Sequence, residues 1–371
     1  MKKTFEFKAY TSKRNRELHR QIEIAAKIYN YCINLHKQYY RRTGKHLNVY
    51  QLQKHITKLK KRPKFSEWNE LGSQAIQDVI QRIERGYQLF FKKVNKRPPT
   101  FKKIKKYKSF TLKQAGYKLY GDNRIQINGV IYKYFKSREI EGSVKTITIK
   151  RDSIGDIYIF IVCDVDQPEV LARTGKTVGY DFGLKTYLKA SDGNDIESPM
   201  FFKQNAAVIK KLNRELSRKV KGSNHRKQAK LKLARVHKRT ANRRKDFQFK
   251  LAYDLCGKYV AICIEDLNIK AMKRLWGKKV SDLSHSSFVK ILKYAGSQTG
   301  TEVIEISRWY PSSKTCSVCE HVLDELQLNV REWDCPNCGA HHNRDYNAAV
   351  NIHRVGSSTL GRDTVSPASV G

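Results

Sequence analysis

The chain is short of acids. It carries 34 Asp plus Glu against 74 Lys plus Arg over 371 residues, a formal net charge of +40 at neutral pH. An excess of that size repels itself in a compact state unless a polyanion neutralises it, so nucleic acid is the first partner to consider. An acidic small-molecule substrate needs only a few cationic groups and does not account for the excess. Long hydrophobic runs are missing too. The longest, 157–163 and 259–264, fall far below the ~18–20 residues of a transmembrane helix. The N-terminus, Met-Lys-Lys-Thr-Phe-Glu-Phe-Lys, has charge but no apolar stretch behind it, which argues against a secretory signal. A cytoplasmic protein is expected. Apolar material itself is ample: 40% of residues are hydrophobic, enough for packed cores, and the length suits about two domains.

Periodicity divides the chain. Residues 2–9 alternate Phe5, Phe7 and Ala9 with charged residues, the pattern of a half-buried strand. Helical spacing follows over 14–40, 49–59 and 73–94, the last with Ser73 as an expected N-cap, and Pro98-Pro99 ends the block. Short β runs at 118–120, 124–127, 130–133, 146–151 and 157–165 are separated by turn signals such as Asn128-Gly129. An isolated N-terminal strand needs a partner, so these runs predict a small barrel or sandwich with the helices inserted after its first strand. Residues 167–176 read as a linker. Three strands are then expected at 177–181, 186–190 and 195–198, followed by a long basic helical stretch over 204–256. A buried strand (259–265), a helix (286–297), a strand (302–306) and a short helix (344–354) complete the pattern. The Ser-, Gly-, Thr- and Pro-rich residues 356–371 are expected to be disordered.

Eight cysteines fall into two sets. Cys32, Cys163, Cys256 and Cys263 sit in apolar segments and read as small buried hydrophobes. Cys316, Cys319, Cys335 and Cys338 form C-x2-C, fifteen residues, then C-x2-C. Each pair can present two thiolates to one tetrahedral ion, the spacing of a zinc ribbon. Four thiolates leave no open position for a catalytic water, so the Zn2+ is expected to be structural. His341 and His342 lie close enough to compete as ligands; facing solvent or nucleic acid is the expectation for both.

Three acids stand at the borders of mostly apolar elements: Asp181, Glu265 and Asp345. Singly, each is accounted for as a helix cap or an exposed strand-end acid. Together, acids on strand one, strand four and a late helix of a β-β-β-α-β-α arrangement can converge on two divalent ions and hydrolyse a phosphodiester. Oxygen ligands suit Mg2+ or Mn2+ rather than zinc. This is an RNase H-like nuclease pattern.

The residues carrying that pattern resemble the TnpB family, transposon-associated RNA-guided nucleases related to compact type V CRISPR effectors. The matching runs are Gly179-Tyr-Asp181-Phe-Gly183-Leu-Lys and Ile264-Glu265-Asp266-Leu267-Asn268-Ile-Lys-Ala-Met272. A third begins at Trp309 and passes through both cysteine pairs to Asn343-Arg344-Asp345-Tyr-Asn347-Ala-Ala-Val-Asn351. The resemblance implies an α/β multidomain protein. Its RNase H-like (RuvC) nuclease domain would span 175–308 and 341–355, with a zinc ribbon at 309–340. A small β-barrel wedge domain (1–10 and 100–168) would carry a helical recognition lobe (11–99). It further implies that Asp181, Glu265 and Asp345 are the catalytic triad, and that the partners are a guide (omega-type) noncoding RNA and double-stranded target DNA. Cleavage would fall beside a short transposon-adjacent motif, in a prokaryotic cell and at the nucleoid when on DNA.

Phosphate contacts are expected from the basic stretch 201–250, with 18 Lys plus Arg, including Arg243 and Arg244, against two acids. Leu212, Val220, Leu231, Leu233 and Val236 would seat it against protein. A second basic segment interleaves Lys102, Lys103, Lys105, Lys106 and Lys108 with Phe101, Tyr107 and Phe110. A short duplex motif has to be read by base contacts. By the resemblance these fall to Ser73, Gln74 and Gln77 and to Ser109, Phe110 and Thr111. Two rival readings remain at this level: a catalytically silent RNA-guided DNA-binding repressor, and a guide-independent structure-specific nuclease. The intact triad argues against the first, and the charge excess with its N-terminal modules against the second.

Overall fold

The computed structural model describes residues 1–166, 175–183, 186–267, 277, 283–327 and 329–360. Most of the expected linker at 167–176, residues 268–272 of the second motif and 361–371 of the expected tail lie outside them. The chain forms two compact units, Met1–Gln167 and Pro168–Gly371.

In the first unit, strand β1 (Lys2–Lys8) turns Phe5 and Phe7 inward and charged residues outward. It pairs antiparallel with β7 (Ile157–Asp164), which pairs with β6 (Ser143–Arg151), which pairs with β2 (Ser109–Leu112). A second antiparallel sheet contains β3 (Tyr117–Leu119), β4 (Arg124–Ile127) and β5 (Val130–Lys133). Asn128 and Gly129 join β4 to β5 at φ 47° and 89°, the left-handed pair that a tight hairpin turn needs. A bridge between Ala9 and Tyr134 links the two sheets. The end strands β2 and β3 are not paired with each other. The expected barrel or sandwich is seen as two joined sheets, open between β2 and β3.

Between β1 and β2 the chain inserts α1 (Asn15–Thr43), α2 (Val49–Leu59), a 3-10 stretch (Pro63–Leu71) and α3 (Ser73–Phe91). The helical stripe of α1 buries Leu18, Ile22, Ala25, Ile28, Tyr29 and Cys32, and Gly44 at φ 66° stops the helix. Asn48 and Gln51 form a reciprocal capping box at the start of α2. Ser73 does not cap α3. Gly72, at φ 78° and ψ 153°, is the N-cap, and no side-chain cap bond is made. A Cβ at that position would stand 2.9 Å from Asn128 Oδ1.

The second unit is built on a five-stranded sheet, ordered β10 (Ile196–Glu197), β9 (Thr186–Ala190), β8 (Thr177–Asp181), β11 (Ala261–Glu265), β12 (Glu302–Ile306). The first three run antiparallel, while β11 is parallel to both β8 and β12. Three helices separate β10 from β11: α4 (Phe201–Gln204), α5 (Ala206–Ser217) and α6 (Asn224–Lys258). Arg226 ties the α5–α6 hairpin by donating to Leu216 O at 2.7 Å and Lys219 O at 2.8 Å. Val220, expected to seat this stretch, is 76% exposed instead. The firm anchoring comes from the far end of α6, where Gln248, Leu251, Ala252, Leu255 and Cys256 are buried. Helix α7 (His285–Thr299) leads to β12, and the cysteine module contains the two-stranded pair β13 (Glu332–Asp334) and β14 (His341–Asn343).

The last helix, α8 (Arg344–Ser357), lies on the sheet. Its approach depends on glycine. A Cβ at Gly179 in β8 would fall on Ala349 O and His353 N, and one at Gly356 on Cys263 Sγ. Gly356 is thus a buried helical residue rather than the start of a tail. Among the described residues, no helix is long and apolar enough to cross a membrane.

Candidate active site and metal centre

Asp181 is the last residue of β8 and Glu265 the last of β11. The strands are parallel neighbours with Ile264 opposite Tyr180, so both acids emerge at the same carboxyl edge. Open sheets with parallel strands use this edge for ligands. Asp345 lies in the first turn of α8, where Asn343 caps the helix by accepting from Tyr346 N at 3.1 Å. The helix N-terminus favours an anion there. Seating α8 on Gly179 carries that turn to the strand ends.

The electrostatics bear out the proximity. Burial pushes the Asp181 carboxyl up to about 7, with Asp345 and then Glu265 adding like charge. Burial also raises Glu265, with Asp266 adding to it, while Ser312 Oγ donates to Glu265 Oε2 at 3.4 Å and opposes the shift. Asp181 thus feels both other acids. Arg331 donates to both oxygens of Asp345 at 3.2 Å. Nothing in the sequence pattern marks Arg331, because it belongs to neither the acid motifs nor the cysteine pairs. Asn347 and Asn351 were legible as motif residues but not in their task. Both are fully buried, and both donate to the Ser312 and Thr315 carbonyls, locking the base of the cysteine module to α8.

Cys316, Cys319, Cys335 and Cys338 place their four sulfurs within 4.8 Å of one another. Cys316 and Cys338 are 3.7 Å apart, Cys319 and Cys335 3.6 Å. Tetrahedral Zn–S bonds of about 2.3 Å put sulfurs about 3.8 Å apart, so the cluster fits a single ion such as zinc. Among the described residues, no other group of three or more His, Cys, Asp or Glu ligand atoms is that compact. The three carboxylates are therefore neighbours but not one coordination sphere. His341 is exposed as expected. His342 is not: it is buried against Trp333, with Nε2 3.0 Å from Cys316 Sγ. The period-two alternation of β14 turns one histidine out and the next in.

The remaining expected contact residues divide by exposure. Ser73 and Gln77 are exposed and Gln74 half-buried at the start of α3. Ser73 and Gln77 border a cavity of about 210 Å³ with Tyr50, Gln53 and Lys54, which the sequence does not single out. Ser109 is half-buried and accepts from Arg82. Phe110 has no exposure and belongs to the core, and Thr111 is buried, accepting from Arg82 at 2.6 Å and bonding Thr148 at 2.8 Å. These two are corrected to buried residues: Phe110 packs in the core, and Thr111, on the opposite face of β2, is held by Arg82 and Thr148. Arg243 is exposed, 5.6 Å from the Phe201 ring centroid, and Arg244 is half-buried beside Phe247 and Gln248.

The mixed α/β fold is similar to solved Cas12f and Cas_phi structures. The chain covers 93% of itself and 83% of a Cas12f1 solved with single guide RNA and target DNA, at TM-score 0.59 and 15% identity. A CRISPR-Cas_phi3 endonuclease aligns at TM-score 0.52 and 10% identity, over 96% of this chain and 92% of that one. Both likenesses concern the fold. In sequence, residues 160–275 match a family described as "Probable transposase" and residues 285–352 the "Cas12f1-like, TNB domain". A Streptomyces pristinaespiralis protein whose name describes an RNA-guided DNA endonuclease is 30% identical over 96% of this chain and 90% of its own length. A similarly named protein of Escherichia coli K12 is 29% identical over 80% of this chain and 77% of itself. The chain belongs to the TnpB family.

Proposed function

We propose that this protein is an RNA-guided DNA endonuclease with an RNase H-like (RuvC) catalytic domain, cutting beside a short transposon-adjacent motif. The observation that carries the reading is the Asp181, Glu265 and Asp345 constellation, with Asp181 held near pH 7 by burial and its two acidic neighbours. A buried carboxylate whose proton affinity is raised by two acidic neighbours is suited to divalent cations. The strand order and the position of α8 support the RNase H-like assignment. Asp181, Glu265 and Asp345 would be the residues that hold Mg2+ or Mn2+. When bound, such ions supply Lewis-acid activation of water and neutralise charge developing at phosphorus.

The chain's own residues set the stage for that step. Ser312 orients Glu265, and Arg331 orients Asp345 while placing a cation at the edge where a phosphate would lie. The α5–α6 hairpin, including Arg243 and Arg244, offers cations to the backbone of a guide–target duplex whose sequence is read by base pairing. The first unit would act as wedge and recognition lobe. There Ser73, Gln74 and Gln77 would meet base edges, and Ser109 the backbone beside them. The partners are a guide noncoding RNA and double-stranded DNA. Asp181→Ala tests the reading: cleavage of a target plasmid should vanish while RNA and DNA binding persist. Cleavage that survives the substitution would sink it.

A further inference from the structure

The first unit holds a second cavity, of about 510 Å³, between α1, the latter half of α3 and the segment entering β2. Its lining is cationic, with Arg82, Arg97, Lys102, Lys106 and Lys108 and no carboxylate. Two of these cations are built in rather than loosely displayed. Arg82 is fixed by Asp78 at 2.5 Å, by Ser109 O at 3.0 Å and by Thr111 Oγ1 at 2.6 Å. Lys102 has its backbone N–H and C=O both engaged by the Asn30 side chain at 2.8 Å. Its ammonium stands over the rings of Tyr29 and Tyr107, 4.6 and 5.7 Å from their centroids.

The surrounding segment is shaped to hold the cavity open. A Cβ at Gly86 would lie 2.8 Å from Pro99 Cγ, so glycine lets the two prolines close against α3. Tyr107 is buried, and burial raises its phenol while the adjoining Arg82 opposes the shift. Partial desolvation and the Arg82 charge lower the Lys102 pKa. Asp78 pairs with Arg82, and no carboxylate in the lining answers Lys102. Holding like charges beside each other in a partly desolvated cradle is costly without a counter-anion.

We propose that this cavity seats one backbone phosphate of a bound polynucleotide, with Lys102 and Arg97 as its direct contacts and Arg82 as the fixed cation behind them. The volume lies within the range of small-ligand sites and accommodates a single nucleotide. The proposal rests on the nuclease reading only in taking nucleic acid as the natural ligand. RNA and DNA share the required phosphodiester chemistry.

Hydrogen–deuterium exchange tests it on the full chain in magnesium-free buffer, with a twelve-nucleotide RNA or DNA of the same sequence as probe. Exchange across 95–109 should slow with the probe. Lys102→Gln should raise the concentration needed by about tenfold, the loss of one charged contact, and Lys102→Arg should restore it. Arg97→Gln changes an exposed side chain and should weaken protection severalfold even if Lys102→Gln perturbs folding. Protection by RNA alone assigns the seat to a guide-type strand, by DNA alone to the target, and by both to the backbone irrespective of sugar. Absence of protection with either probe overturns the proposal, as does protection unchanged in both Lys102→Gln and Arg97→Gln. No cleavage is read, so the Asp181→Ala result and this one can fail independently.

Discussion

In metal-free protein above neutral pH, Asp181 bears a charge its surroundings disfavour. Burial, Asp345 and Glu265 move its carboxyl from an ordinary 3.8 to about 7. At ~1.36 kcal/mol per pH unit that displacement corresponds to about 4 kcal/mol, and solvent screening at a part-exposed carboxylate reduces it to about 2 kcal/mol. The folded state binds this proton more tightly than the unfolded state. The resulting stabilisation is fully present below about pH 4 and is lost as pH rises through about 7. Asp181→Asn keeps the shape and removes the charge. It should melt close to wild type near pH 4 and about 4–8 °C higher near pH 8, taking ~2–4 °C per kcal/mol for a unit of this size. Scanning fluorimetry across this range is the assay, in buffer free of magnesium and of chelator so that the cysteine cluster keeps its ion. Added magnesium should raise the melting temperature of wild type more than that of the variant. An equal shift at both pH values, or none near pH 8, would refute the like-charge argument.

Gly179→Ala should destabilise the second unit by about 2–3 kcal/mol through overpacking and abolish cleavage, because its Cβ meets α8 backbone that cannot yield; wild-type melting and activity would contradict this. Elemental analysis should find one zinc per chain, lost in Cys335→Ser, and cleavage should fall with it because the module carries Arg331 to Asp345. Gln77→Ala should alter motif preference in a randomised-flank cleavage library, and an unchanged preference at normal activity would remove Gln77 from the reading surface.

Much of this molecule was legible before folding. Each of the three candidate acids stands at the boundary of an apolar element, and only their joint order along the chain set them apart from the other acids. The cysteine spacing was local, and the sulfur distances agree with it. Exposure was not local. Phe110 and Thr111 sit in a basic segment that reads as a nucleic-acid surface, yet β2 is covered on both faces, with Phe110 in the core and Thr111 held by Arg82. His342 likewise follows its exposed neighbour by one residue, and only the pairing of β14 with β13 decides which of the two faces the sulfurs.

By itself, then, the sequence determined the chemistry available: a charge excess that demands a polyanion, four thiolates at ribbon spacing, and three carboxylates at element ends. Periodicity and spacing are properties of adjacent residues and survive in any conformation. The tertiary structure alone decided which of these groups act together. Asp181 shares its field with Asp345 because glycine at 179 admits α8 to the sheet. Arg331 meets Asp345, and Arg82 and Lys102 border one cavity without a shared acid. Those juxtapositions depend on strand pairing and helix packing between distant segments, where burial and like-charge repulsion first acquire a magnitude.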